Sequence, residues 1–106
     1  MPRTPKRLHG PALVTNAAAT KYTTPAATKT IVRHIHVDNP GAAITFTLSI
    51  GADAAALRIF DAFPIPTGPY DHFCYYVLEA AELIQALASV TNQLVLTVDG
   101  DECTLG

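Results

Sequence analysis

The sequence predicts an all-β protein: a jelly-roll-like antiparallel β-sandwich of about eight short strands, preceded by an extended N-terminal arm. Three observations predict it. Apolar and polar residues alternate with a period of two in the clearest segments, above all Ile44-Thr-Phe-Thr-Leu-Ser-Ile50, the pattern of a strand with one face on a core. Turn-forming groups recur at short intervals, among them Asn39-Pro40-Gly41, Gly51-Ala-Asp53 and Asp99-Gly100. Finally, 106 residues that are 49% hydrophobic and only 15% charged make one compact domain, with little room for both a core and a deep catalytic cleft. A large enzyme is excluded. Arg33, His34, His36 and Asp38 interrupt the apolar stretches well short of the roughly 18 residues of a membrane-spanning helix. The apolar surface is therefore expected to be shared with other protein.

In chain order, residues 1–10 hold two prolines, three bases and a glycine without periodicity, and read as an arm that orders only against a partner. Residues 11–106 form the sandwich. Ala12-Leu-Val-Thr15 and Thr20-Lys-Tyr-Thr-Thr24 are expected as edge strands, the second closed by Pro25. The run from Thr30 to Asp38 sets Ile31, Ile35 and Val37 against Thr30, His34 and His36. The run from Ala42 to Ile50 sets Ile44, Phe46, Leu48 and Ile50 against a Thr/Ser face, and the two are expected to form a half-buried antiparallel pair. Residues 56–60 predict a further strand, and Pro64 to Pro69 a long irregular loop. Tyr70 to Leu78 reads as an aromatic strand covered on both faces, and Leu94 to Asp99 as the closing strand. Residues 78–89 are ambiguous: Ala80, Leu83, Ile84 and Leu87 would share a helical face. The alternative is a turn at 79–82 and a strand from Leu83 to Ala88.

Charge is divided along the chain. All bases but Arg58 lie within the first 33 residues, as Arg3, Lys6, Arg7, Lys21, Lys29 and Arg33, and all nine acids follow. A basic leading segment on an acidic body predicts docking on an acidic protein surface, including that of another copy. The acidic body argues against nucleic acid as a partner, and no segment points to a membrane. The N-terminus shows no apolar signal-peptide core, so synthesis is expected in a cytoplasm. Cys74 and Cys103 are too few for a disulfide framework or a CxxC metal site.

Chemistry-bearing constellations are sparse. His34 and His36 are two apart on a strand, project from one face, and could share a metal ion, within one chain or around a threefold axis of copies. A cupin-like metalloprotein would add His72, reached through Pro66-Thr-Gly68. Against this stands the simpler reading of two histidines on a polar sheet face, and no cofactor is expected. Cys74 and His72 would share a strand face, although a buried inert thiol accounts for Cys74. Asp53, Asp61 and Asp71 could pair as acid and base, but turn chemistry accounts for them too. Tyr70, Tyr75 and Tyr76, beside the 64–69 loop, could form a stacking platform for a glycan or protein partner.

Taken together, Gly10-Pro-Ala-Leu-Val-Thr-Asn, Tyr22-Thr-Thr-Pro-Ala26, Lys29-Thr-Ile-Val-Arg-His-Ile-His-Val-Asp-Asn-Pro40, Phe46-Thr-Leu-Ser-Ile-Gly-Ala-Asp53 and Leu94-Val-Leu-Thr-Val-Asp-Gly-Asp-Glu102 resemble the small β-sandwich virion proteins of tailed bacteriophages. The likeness spans nearly the whole chain and is one of strands and turns. It implies a sandwich in which residues 79–88 are turn plus strand, with no catalytic residues to carry over. The function it implies is a non-enzymatic virion protein, either decorating or cementing a capsid or forming part of a tail or neck that contacts a receptor or glycan. The expected partners are phage capsid or tail proteins and further copies of the chain, a trimer being favoured, with Arg3, Lys6 and Arg7 anchoring the arm. The expected location is the virion, after synthesis in the bacterial cytoplasm.

Overall fold

A computed structural model describes residues 3–52 and 54–104. Eight strands run in order: β1 (Arg3–Leu13), β2 (Ala19–Thr23), β3 (Thr28–Asn39), β4 (Ile44–Ile50), β5 (Arg58–Ile65), β6 (Gly68–Leu78), β7 (Leu83–Ala88) and β8 (Val95–Thr104). One turn of 3-10 helix, Ala55–Leu57, precedes β5. The strands form two four-stranded antiparallel sheets, ordered β1-β8-β3-β6 and β2-β7-β4-β5. The protein is an antiparallel β-sandwich, and its strand order has jelly-roll connectivity. Successive strands change sheet at every connection except β4 to β5.

The core lies between the sheets. Val32, Ile35, Val37, Leu96 and Val98 come from one, and Ile44, Phe46, Leu48, Phe60, Ile65 and Ile84 from the other, in one buried cluster. Large residues of β4 stand beside small ones of β7, with Phe46 opposite Ala88 and Leu48 opposite Ala86. On the other flank, Phe46 faces Phe63 and Leu48 faces Phe60, so β4 is wedged between a thin neighbour and an aromatic one. This alternation of volumes lets the layers interdigitate at interior density. Residues 83–88 are strand, in agreement with the turn-plus-strand reading. The preceding turn is closed by Glu82 N–H donating to the Glu79 carbonyl at 3.0 Å, with Ala81 at a φ of 70°.

Several expectations are corrected. Residues 3–10, expected as an arm, belong to edge strand β1, paired with β8 from Arg3↔Cys103 to Leu13↔Val95; Met1 and Pro2 lie outside the described residues. The runs that became β3 and β4 do not pair, because the turn at Asn39 carries the chain from one sheet to the other. There the Asn39 amide donates to the Ala42 and Ile65 carbonyls at 3.0 Å each, tying the crossing to the end of β5. The expected 64–69 loop shrinks to Pro66 and Thr67, since Pro64 and Ile65 finish β5 and Gly68 opens β6. The Thr/Ser face of β4 is not open: Thr47 and Ser49 are buried, and Thr47 accepts the Ala62 N–H. A register shift between Val32 and His34 breaks simple alternation in β3. Val32 joins Ile35 and Val37 in the core, while Ile31 lies outside that cluster. Finally, β6 is covered on one face only: Asp71, Phe73, Tyr75 and Val77 are exposed.

Gly100 shows how closely the central strands approach. It pairs with Lys6 on one side and Val32 on the other, and a Cβ there would lie 2.1 Å from the Ile31 carbonyl oxygen. That oxygen is backbone and cannot swing aside as the tip of a side chain could. Gly100→Ala is expected to cost about 3 kcal/mol, the upper end of overpacking penalties, and Phe46→Ala about 3–5 kcal/mol through a cavity. Both are read as lowered midpoints in denaturant unfolding. Wild-type midpoints would contradict the close approach and the wedge.

Candidate functional site

The densest group of chemistry-bearing side chains lies on the outer face of the sheet containing β3 and β6. The shift in β3 register at Arg33 puts His34 and His36 on this face. Across the strand pair, His36 stands opposite Asp71, and His34 opposite Phe73. Asp71 Oδ1 lies 2.8 Å from His34 Nε2 and 2.5 Å from His36 Nδ1, accepting from both rings. These contacts, His36 first and then His34, hold the Asp71 carboxyl below its ordinary range. The Phe73 ring stacks on His34 with centroids 4.5 Å apart and planes 5° from parallel. On the far side of His34, Nδ1 lies 3.7 Å from Asp99 Oδ2. The three donor atoms of His34, His36 and Asp71 lie within 4.8 Å of one another.

Beside this group, Asp101 is a buried carboxylate whose side chain is only 7% exposed. Arg33 Nε donates to it at 2.6 Å, Arg3 Nε approaches within 3.6 Å, and the Arg33 guanidinium sits 5.6 Å from the Tyr75 ring centroid. The outer face thus runs from an ion-paired patch through Tyr75 and Phe73 to the His/Asp group. At the end of the sandwich, Glu102 bridges the two sheets. The Tyr22 hydroxyl on β2 donates to Glu102 Oε2 at 2.5 Å and lies 2.8 Å from the Thr30 hydroxyl, while Lys6 Nζ donates to Oε1 at 3.2 Å. Burial, reinforced by Glu102, pushes the Tyr22 phenol up to about 12. The hydrogen bond from Tyr22, aided by Lys6, lowers the carboxyl of Glu102.

The structure separates several residues that the sequence grouped. His72 is on the opposite face of β6 from Asp71, edge-on to Phe60 at 4.9 Å and 3.1 Å from the Tyr76 hydroxyl. It therefore cannot join His34 and His36 in a cupin-like ligand set. Cys74 also points inward, its thiol donating to the Val32 carbonyl at 3.5 Å, and burial pushes that thiol up to about 11. A thiol so raised is a poor nucleophile. Tyr70 packs on Phe60 and Phe63, so Tyr75 alone of the three tyrosines is exposed. Asp61 is paired with Arg58 at 2.9 Å, and Asp53 lies outside the described residues. Of the basic residues expected to anchor a partner, Arg3 and Lys6 pair with Asp101 and Glu102 of the same chain, and Arg7 stands opposite Asp99. No pocket is found among the described residues, and no helix among them is long and apolar enough to cross a membrane.

Sequence reading missed Asp71 as the partner of both histidines, because only the β3–β6 register brings it there. It also missed Phe73 as the most exposed large apolar residue among the described residues. The alternation along residues 70–78 carried that signal, with Asp71 marking the wet face.

No protein-family model matches the chain, and no curated protein gives a significant match. Among solved structures, a protein of Bacillus endospore appendages, described as a novel family of disulfide-linked pili, superposes with a TM-score of 0.59. The superposition covers 98% of this chain and 89% of that one at 8% sequence identity. At that identity the likeness shows the fold alone.

The Glu102 bridge predicts a defined acid limb. A carboxylate whose folded pKa is depressed contributes stability in full above its ordinary value near 4.5, and loses it as pH falls through the lower folded value. Wild-type protein is expected to lose thermal stability on acidification below 4.5 more steeply than Glu102→Gln, with the variant less stable at neutral pH. Parallel melting profiles against pH for the two proteins would contradict a stabilising bridge.

Proposed function

We propose that this chain is a non-catalytic structural subunit of a bacteriophage virion, a capsid decoration or cement protein that seats on neighbouring protein through the outer surface of β6. The observation that carries the reading is the state of that strand. It is an edge of its sheet, eleven residues long, and it presents Phe73, Tyr75 and Val77 in a row at 77%, 61% and 49% exposure. Edge strands in soluble monomers are guarded by charge, proline, bulges or short length. The other long edge, β1, has such guards in Pro5, Lys6, Arg7 and Pro11, with two register shifts. Strand β6 has one proline at its beginning, one aspartate and one register shift against β3, and no lysine or arginine. An apolar row along an edge so lightly guarded is a surface that is favourable only when covered by protein.

The resemblance of the strand-and-turn pattern to phage virion sandwiches supports the virion, and the occurrence of the fold in pili supports use in an assembly. Attachment through the basic N-terminal residues loses its footing: the acidic surface they were expected to seek is β8 of their own chain. The disulfide linkage in the description of the endospore pili also has no counterpart in the placement of Cys74 and Cys103, a half-buried and a buried free thiol.

Phe73→Lys combined with Tyr75→Lys is expected to convert an oligomer of the purified protein to monomer in light scattering, and to remove the chain from purified particles as read by mass spectrometry. The circular dichroism spectrum should stay that of the wild type. Unchanged assembly and unchanged retention on particles would sink the β6 reading.

A further inference from the structure

We propose that His34, His36 and Asp71 form a binding site for one divalent transition-metal ion of the zinc type, on the outer face of the β3–β6 pair and complete within a single chain. The donor set selects the ion class. Two imidazole nitrogens and one carboxylate oxygen suit zinc, copper or nickel, whereas magnesium and calcium require shells of oxygen. The geometry is close to what such an ion needs. With bonds of about 2.0–2.2 Å in a tetrahedral shell, donor atoms sit roughly 3.3 Å apart. Here Asp71 Oδ1 is 2.8 Å and 2.5 Å from the two histidine nitrogens, and the whole set lies within 4.8 Å. All three side chains are partly open to solvent, so small side-chain rotations open the set around an ion without moving the strands.

The surroundings hold the ligands as metal sites hold theirs. A ligating imidazole is commonly oriented by a carboxylate at its other ring nitrogen. With His34 Nε2 turned to the ion, its proton resides on Nδ1, which already faces Asp99 Oδ2 at 3.7 Å. His36 ligates through Nδ1 and carries its proton on Nε2. The stacked Phe73 ring fixes the plane of His34. Each neutral histidine exchanges a hydrogen bond to Asp71 for a bond to the ion, and the Asp71 carboxylate exchanges two N–H donors for one cation. Three protein ligands leave at least one coordination position facing outward, filled by water in the isolated chain. The inference shares Phe73 with the assembly reading but rests on the three donor groups, whereas that reading rests on the exposed row.

Isothermal titration of the untagged full chain with zinc chloride tests it. The expected result is one zinc per chain, weakened at least tenfold in His36→Ala and in Asp71→Asn, both with wild-type circular dichroism. His72→Ala, altered on the opposite face of β6, should bind as the wild type does, and magnesium chloride should give no binding. The proposal is overturned by absence of zinc binding, by wild-type affinity in both His36→Ala and Asp71→Asn, or by loss of binding in His72→Ala. A stoichiometry of one zinc per three chains would also overturn it, because it would place the ion between copies. Failure of the β6 substitutions to alter assembly leaves the zinc titration unaffected, so the two readings fail separately.

Discussion

Strand β8 has to lie between β1 and β3 for their sheet to take its final form. Its neighbours come from the beginning and the first third of the chain, so the pairing closes a loop of nearly the whole sequence. Such non-local pairing carries a large entropic cost before its contacts form. What offsets that cost is concentrated on β8: Leu96 and Val98 in the core, Gly100 where two backbones approach, Asp101 against two arginines, and Glu102 against Tyr22 and Lys6. Once β8 is seated, its alternate residues serve two surfaces. The inward set joins the sheets, and the outward carboxylates of Asp99 and Asp101 organise the outer face.

That division explains the segregation of charge along the sequence. The leading bases and the trailing acids are far apart in the chain and adjacent in the sheet. Their attraction is satisfied within one molecule, which leaves β1 a charged, proline-bearing edge of the kind that resists further pairing. The opposite edge, β6, has a single proline at its beginning and no lysine or arginine, and it carries aromatics along its outer face. The molecule is therefore asymmetric: one side of the sheet is closed by its own N-terminal strand, and the other presents an apolar row beside two histidines and an aspartate.

Much of the fold could be read from local pattern. Alternation in Ile44–Ile50 locates a strand because a period of two has no other regular home, and the proline and glycine groups mark where strands end. Residues 78–89 were ambiguous for a physical reason: alanine, leucine and glutamate favour helix locally, while Ala86 and Ala88 are needed beside Leu48 and Phe46 in the sheet. The candidate site was legible only in part. His34 and His36 are visible as a same-face pair, but Asp71 is 35 residues from His36 and comes opposite it only through the register of β3 on β6.

The sequence by itself determined the class of structure, the approximate strands, the absence of a long apolar span and the pairing of two histidines on one strand, because these depend on periodicity and residue chemistry over a few positions. Only the tertiary structure decided that β3 and β4 belong to different sheets, that the basic N-terminal residues form an edge strand against β8, that His72 and Cys74 face inward, and that Asp71 completes a three-donor group. Each of these depends on which strand lies beside which. Partner choice between strands is set by the packing of the whole sandwich rather than by any local segment, since nearly every backbone edge in the chain could in principle pair with any other.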